Sequence, residues 1–470
     1  MNLAMPRRFL DYMEPITRYL PEIVKPKRKI SLKEKFLWTA LALAIYLIMS
    51  EIPLLGVPSS SGYDAFYYYR VIFASKQGSL MELGIGPIVT AGLIMQILAG
   101  SKILNVDLNN PKDRGLFTGT QKFLAIAMTA FEGVAFLLGG SFGTVTLNGG
   151  VAIVVQLIAV GILVILLDEL VQKGWGLGSG ISLFILAGVA QTVIWQSFSP
   201  IGPVADGASL GAILAFFQFL LAGDPMAAFT RTTYPSMVGF ITMLIVFFVA
   251  VYLEGMKIEI PVAYAKYGGM RAKIPLKFMY VSNIPVILAS ALFANLFLLG
   301  NMLWANLNSS NTNGMINWFV MKNATSGSFE PGSFLYYITS PNNISGVVAD
   351  PFRAVSYLLI LVALSVVFAR VWVEVAGMSA QAQANQLVKA GMQIPGFRRS
   401  PAIIEQIMNR YIPSLTIISG IAIGLLAGGA DMLGSIGSGI GILLSVGIIY
   451  QYYQILAKEQ LAEAYPGLGK

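Results

Sequence analysis

The chain has 470 residues, 56% of them hydrophobic and only 11% charged, with a mean hydropathy of +0.70 and a net charge of +8. Soluble globular domains carry about 25% charged residues, so an ordinary water-soluble enzyme is set aside, and membrane spans of about 20 apolar residues become the unit of description. No cysteine or histidine is present, which excludes disulfides, thiol chemistry and any imidazole base, nucleophile or metal ligand.

In chain order, residues 1–35 form a basic, proline-containing segment, expected to be cytoplasmic. It does not read as a cleavable signal, because the apolar run from Phe36 is too long for one. Ten apolar stretches follow, spans one to ten, at 36–57, 80–103, 118–140, 151–172, 176–198, 234–256, 281–303, 352–376, 411–433 and 438–458. Residues 58–79, between spans one and two, are polar and aromatic, with Gly62, Tyr63, Phe66, Tyr67, Tyr68, Tyr69, Arg70 and Phe73. They fit either a re-entrant helix filling a protein cavity or an outer interfacial loop with an aromatic belt. An outer connection, 201–233, divides two halves, 36–200 and 234–460, and residues 461–470 form a tail.

With the N-terminus inside, 26 of the 31 Lys and Arg residues fall on inner segments. The outer face holds only Arg70, Lys76, Arg231, Lys322 and Arg353. The positive-inside rule then puts both termini in the cytoplasm. Two inner loops are long. Residues 257–277 carry Lys257, Lys266, Arg271, Lys273 and Lys277 around Gly268-Gly269; residues 377–410 reach Gly396-Phe397-Arg398-Arg399-Ser400. Their charge fits anchoring against anionic lipid or docking of a polyanion such as RNA. The outer loop 304–351 is rich in Asn, Ser and Gly, with sequons starting at Asn308, Asn323 and Asn343.

An internal repeat links the halves. Gly178-Ser179-Gly180-Ile181 opens span five and Gly437-Ser438-Gly439-Ile440 opens span ten. Pro87-Ile88-Val89-Thr90-Ala91-Gly92 in span two matches Pro285-Val286-Ile287-Leu288-Ala289-Ser290 in span seven. Five spans per half make the repeat inverted, with a working site expected between the halves. Inverted-repeat transporters usually place ionisable groups near the midplane, but here Glu132 is the one carboxylate expected well inside a span. The repeated segments offer Ile, Val and Leu, which fit an apolar constriction as well as ordinary helix packing. Thr90 and Asn295 are the polar residues expected near Glu132, which serves either as a structural carboxyl or as a polar patch that lets one helix seam open.

The sequence resembles the SecY-type protein translocase channel, the alpha subunit of the Sec translocon, in its archaeal and eukaryotic-like form. The resemblance rests on LGIGPIVTAGLIMQIL (83–98), LDELVQKGWGLGSGISLFILAG (167–188), IEIPVAY (258–264), KFMYVSNIPVILASALFANL (277–296), GFRRS (396–400) and RYIPSLT (410–416). It implies an all-α polytopic membrane protein of ten transmembrane helices, in two pseudo-symmetric inverted five-helix halves hinged at 201–233 around a central channel. The implied pore ring is Ile85, Val89, Ile181, Ile185, Ile287 and Leu444, with Val89 equivalent to Ile287 and Ile185 to Leu444 through the repeat. The implied plug spans about 62–75 and includes Tyr63, Phe66, Tyr67, Arg70 and Phe73. A lateral gate between spans two and three and spans seven and eight would carry Thr90, Glu132 and Asn295. Lys266, Arg271, Lys273, Arg398 and Arg399 match the family's ribosome-docking positions. The implied function is passage of unfolded secretory polypeptide across the cell (plasma) membrane and lateral release of transmembrane segments, without enzymatic activity, cofactor or metal. Implied partners are gamma (SecE-type) and beta small membrane subunits, the ribosome, signal sequences and nascent polypeptides, and membrane lipid. An inverted-repeat secondary transporter of a small solute is the competing class; it leaves the basic loops and the scarcity of intramembrane charge without a purpose.

Overall fold

The computed structural model describes residues 9–57, 70, 73–100, 103–104, 106, 110–143, 145–204, 206–232, 234–264, 270–307, 314–323, 328–389, 392–393 and 401–464. Among these, eight helices are long and apolar enough to cross a membrane. They form spans three to ten at Pro111–Leu138, Leu147–Leu170, Gly180–Phe198, Met237–Gly255, Ile284–Leu307, Pro351–Val375, Pro401–Met432 and Gly439–Ala464. Their starts are written locally. Asn110, Thr146, Ser179, Ser236 and Asp350 each accept a hydrogen bond from a first-turn amide, and Pro111 and Pro351 occupy the first helical position, where a missing N–H costs nothing.

Spans one and two differ from that pattern. Span one is the 20-residue helix Leu32–Glu51, which opens on the charged turn Lys33-Glu34-Lys35. Span two is helical only over Gly86–Gly100, about 22 Å at 1.5 Å per residue, against a hydrocarbon core of about 30 Å. The expected run 80–103 is therefore too long. Residues 80–85 run as turns, with Gly84 at a φ of +55°, and Met81 and Ile85 are fully buried. Irregular backbone at membrane depth is stable only when protein covers it.

Lys35 pairs with Glu459 at 2.7 Å, so the start of span one and the end of span ten share one face, here called the terminal face. A single apolar core runs through both halves, from Tyr46 and Ile85 through Phe184 to Val286, Phe297 and Leu444. A second core lies on the terminal face. Strand β1 (Lys257–Tyr264) pairs antiparallel with β2 (Met270–Lys277), from Lys257↔Lys277 to Tyr264↔Met270. On its other edge β1 pairs with β3 (Met392–Gln393), giving the order β2-β1-β3. Ile260, Leu276 and Tyr280 pack there against Val373 of span eight, Ala384, and Ile404 and Met408 of span nine. The two long inner loops thus form one folded unit. Of the expected loop 377–410, the described residues supply the helix Ala380–Lys389, β3 and the first ten residues of the span-nine helix.

The opposite face is also structured. The connection 201–233 holds a helix, Ala212–Leu221, and is tied by Arg231, whose Nε donates to Asp206 at 2.6 Å and whose Nη2 donates to the Ser209 carbonyl at 3.0 Å. The segment 304–351 carries short helices at Gly314–Phe319, Phe334–Tyr337 and Ile344–Ala349.

Candidate channel, seam and docking unit

All six expected ring residues fall in the central apolar core. Ile85, Ile185 and Leu444 are buried, and Val89, Ile181 and Ile287 are half-buried against the same cluster. Close helix approach sets their positions. A side chain at Gly447, one turn beyond Leu444, would strike the Asn283 amide, which donates to the Leu443 carbonyl at 2.7 Å. The start of span five abuts span ten at Gly178, where the Tyr452 hydroxyl donates to the Ser179 carbonyl at 3.0 Å. At the other end Gly437 presses on Val193, and its amide donates to Gln196 at 3.3 Å.

Of the 58–79 stretch, Tyr63, Phe66 and Tyr67 lie outside the described residues; Arg70 and Phe73 are described, and both are buried. Phe73 and Ala74 form a wedge at ring level. The Phe73 carbonyl accepts from the Ile85 amide at 2.8 Å, the Ala74 carbonyl accepts from the Tyr46 hydroxyl at 2.8 Å, and Ala74 lies against Gly188 of span five. A Cβ at Gly84 would collide with the Phe73 carbonyl. Arg70 is fixed by Glu82 at 2.8 Å with both side chains buried. The described end of the stretch therefore fills protein interior instead of lying in an interfacial loop.

The three expected seam residues meet. The Asn295 amide of span seven donates to the Thr90 hydroxyl of span two at 3.1 Å, joining the two halves. Thr90 also borders Glu132 of span three. All three line one small cavity of about 40 Å³, which Arg70, Phe73 and Glu82 also border. Glu132 is 7% exposed, and its Oε1 has no partner among the described residues. A buried polar atom without a partner costs about 1–3 kcal/mol, so this contact between the two halves carries an unrelieved polar cost.

On the terminal face the docking expectations separate. Lys266, Arg398 and Arg399 lie outside the described residues; Arg271 stands in β2 opposite Ala263. Lys273 is exposed but paired across the hairpin with Glu259 at 2.6 Å. That bond holds the Glu259 carboxyl below, and the Lys273 ammonium above, their ordinary ranges. A pairing not expected from the sequence secures this unit to the membrane helices. Lys277 pairs with the buried Glu254 of span six at 2.8 Å and lies 4.5 Å from the Tyr450 ring of span ten, two turns from Leu444. Basic charge in the loop and a carboxylate at a span end were visible signals; their pairing was not.

Comparison with known proteins bears on this geometry. The SecY family matches residues 79–453, and the plug domain of Sec61p matches residues 45–78. A protein translocase subunit SecY of Pyrococcus furiosus is 43% identical over 98% of this chain and 98% of its own. A solved structure described as a protein conducting channel superposes with a TM-score of 0.83, at 38% identity, over 97% of this chain and 99% of that one. Sec61 in a canine ribosome-channel complex from the endoplasmic reticulum superposes at 0.81 and 37% identity, with the same coverage.

Proposed function

The chain belongs to the SecY family of protein translocase channels, and from that membership we propose that its apolar ring is the seal through which unfolded polypeptide crosses the membrane. It is an integral multi-pass membrane protein and a protein-conducting channel. The observation that carries the reading is the convergence of Ile85, Val89, Ile181, Ile185, Ile287 and Leu444 on one apolar core, with Phe73 and Ala74 wedged beside Ile85. Branched apolar side chains exclude water and ions when closed and make no sequence-specific bond when open. That combination suits a conduit for many sequences, and no catalytic group is called for.

In this reading residues 62–75 are the plug, and the seam at Thr90, Glu132 and Asn295 is the lateral gate. Parting it exposes an apolar segment to lipid, driven by about 25 cal/mol per Å² of apolar surface transferred. Both termini are cytoplasmic, in the cell membrane, and the β1–β2–β3 unit docks the ribosome through Lys266, Arg271, Lys273, Arg398 and Arg399. The likeness to Sec61 in a ribosome-channel complex supports that partner. Small gamma and beta subunits complete the assembly, and the directional work comes from the ribosome or a bound motor.

The absence of native cysteine makes the test clean. A single Cys in place of Ile85, Ile287 or Leu444 should crosslink to a stalled secretory chain, while a Cys on a lipid-exposed position such as Phe248 should not. No adduct at any ring position refutes the seal. Reversing the charge of Arg398 and Arg399 should weaken ribosome binding; unchanged affinity at moderate salt refutes the docking site.

A further inference from the structure

The two inverted halves use a buried carboxylate in the same place. Asp168, near the end of span four, accepts from the Ile181 amide of span five at 2.9 Å. Asp431, near the end of span nine, accepts from the Gly439 amide of span ten at 2.6 Å. Each carboxylate therefore holds the first turn of a ring-bearing helix. Their second oxygens differ. In Asp168 it accepts from Gln172 of its own span at 2.7 Å, whereas in Asp431 it accepts from the Tyr357 hydroxyl of span eight at 3.0 Å.

That difference joins the seam to the ring in the second half only. The Tyr357 ring lies 6.5 Å from the Phe293 ring of span seven. Phe293 stands two residues before Asn295, on the opposite side of its helix from the seam bond to Thr90. Span ten begins pressed against span nine, since a Cβ at Gly439 would strike the Ala427 carbonyl. Tyr357 and Asp431 are each 4% exposed, on the wall of a large cavity open to the face opposite the terminal face. A continuous path thus runs from Asn295 through Phe293, Tyr357 and Asp431 to the helix that carries Leu444.

We propose that Tyr357 and Asp431 are positioning residues that couple the seam to the seal. When spans seven and eight swing away from spans two and three, the Tyr357–Asp431 bond carries the start of span ten with them. The ring then widens only as the seam parts. This inference rests on the conduit reading given above.

The test uses the full-length chain with its copurifying membrane subunits, reconstituted in planar bilayers and in vesicles. Two quantities are read: the resting ion conductance, which reports the seal, and the apolarity a signal segment needs for insertion, which reports the seam. Tyr357→Phe keeps the ring contact with Phe293 and removes only the hydroxyl. Loss of a hydrogen bond to a charged group shifts an equilibrium by roughly tenfold to a hundredfold. Resting conductance should rise by about tenfold or more, with the insertion threshold unmoved. Asp431→Leu should leak at least as much, and adding Tyr357→Phe to it should change nothing further. Asp431→Asn keeps an oxygen for the Gly439 amide and turns an amide toward the Tyr357 hydroxyl, so it should restore most of the seal. Additive conductance increases, a tight Tyr357→Phe channel, or a leak that tracks only lost thermal stability overturns the coupling. Wild-type chain that passes no precursor at all overturns the conduit reading and this inference with it.

Discussion

Glu132 offers the sharpest test of the seam. Among the described residues the seam is joined there by the bond from Asn295 to Thr90, and intramembrane side-chain bonds average about 0.6 kcal/mol. Against it stands Glu132 Oε1, buried without a partner among the described residues, at a cost of about 1–3 kcal/mol. Glu132→Leu removes that cost and fills a similar volume beside Gly86 and Phe73, which border the carboxyl in the same cavity. The closed state should gain about 1–3 kcal/mol, roughly 5- to 150-fold in the closed-to-open ratio. An entering signal segment must make up the difference at about 0.8 kcal/mol per methylene, which is roughly one alanine-to-leucine replacement. A graded series of leucine/alanine signal segments, scored for insertion, measures the half-insertion composition directly. It should shift to more apolar segments in Glu132→Leu, with Glu132→Gln between the variant and the parent. An unchanged composition, or a shift toward less apolar segments, would refute the reasoning.

Three further outcomes follow from particular contacts. Lys277→Met leaves the buried Glu254 carboxylate without its ion partner; because Lys277 is itself 40% exposed, the loss is about 1 kcal/mol in thermal unfolding, recovered by adding Glu254→Leu. Gly447→Ala drives a methyl into the Asn283 amide and breaks its bond to Leu443, so the melting temperature should fall by an amount equivalent to about 1–3 kcal/mol. Lys322 sits over the Phe329 ring, and burial pushes its ammonium down to about 8, below the unfolded value of about 10.4. Between those values the unfolded chain binds more protons, so stability rises with pH. Protease resistance of the segment 314–349 should increase from pH 8 to pH 10, and Lys322→Met should abolish the slope.

The sequence alone determined the class, the spans from three to ten and the inverted repeat, because hydropathy and helix caps are properties of neighbouring residues. Ser179 and Ser438, found as parts of a repeated motif, both cap ring-bearing helices. The grouping of Thr90 and Asn295 about Glu132 was expected from the sequence, and the geometry brings the three together. Tertiary structure alone decided the rest. Span two could be 15 helical residues because Met81 and Ile85 are covered by other spans, which no local window records. Two basic loops became one sheet because β3 reaches β1 across more than a hundred residues. Asp431 gave no signal at all at the end of an apolar run. Its role comes from Tyr357, 74 residues away, and from the backbone turn that brings Gly439 to it. Hydrophobicity accumulates along the chain and can be read there, whereas a hydrogen bond in a dry interior needs one partner at one distance, and only the folded packing supplies it.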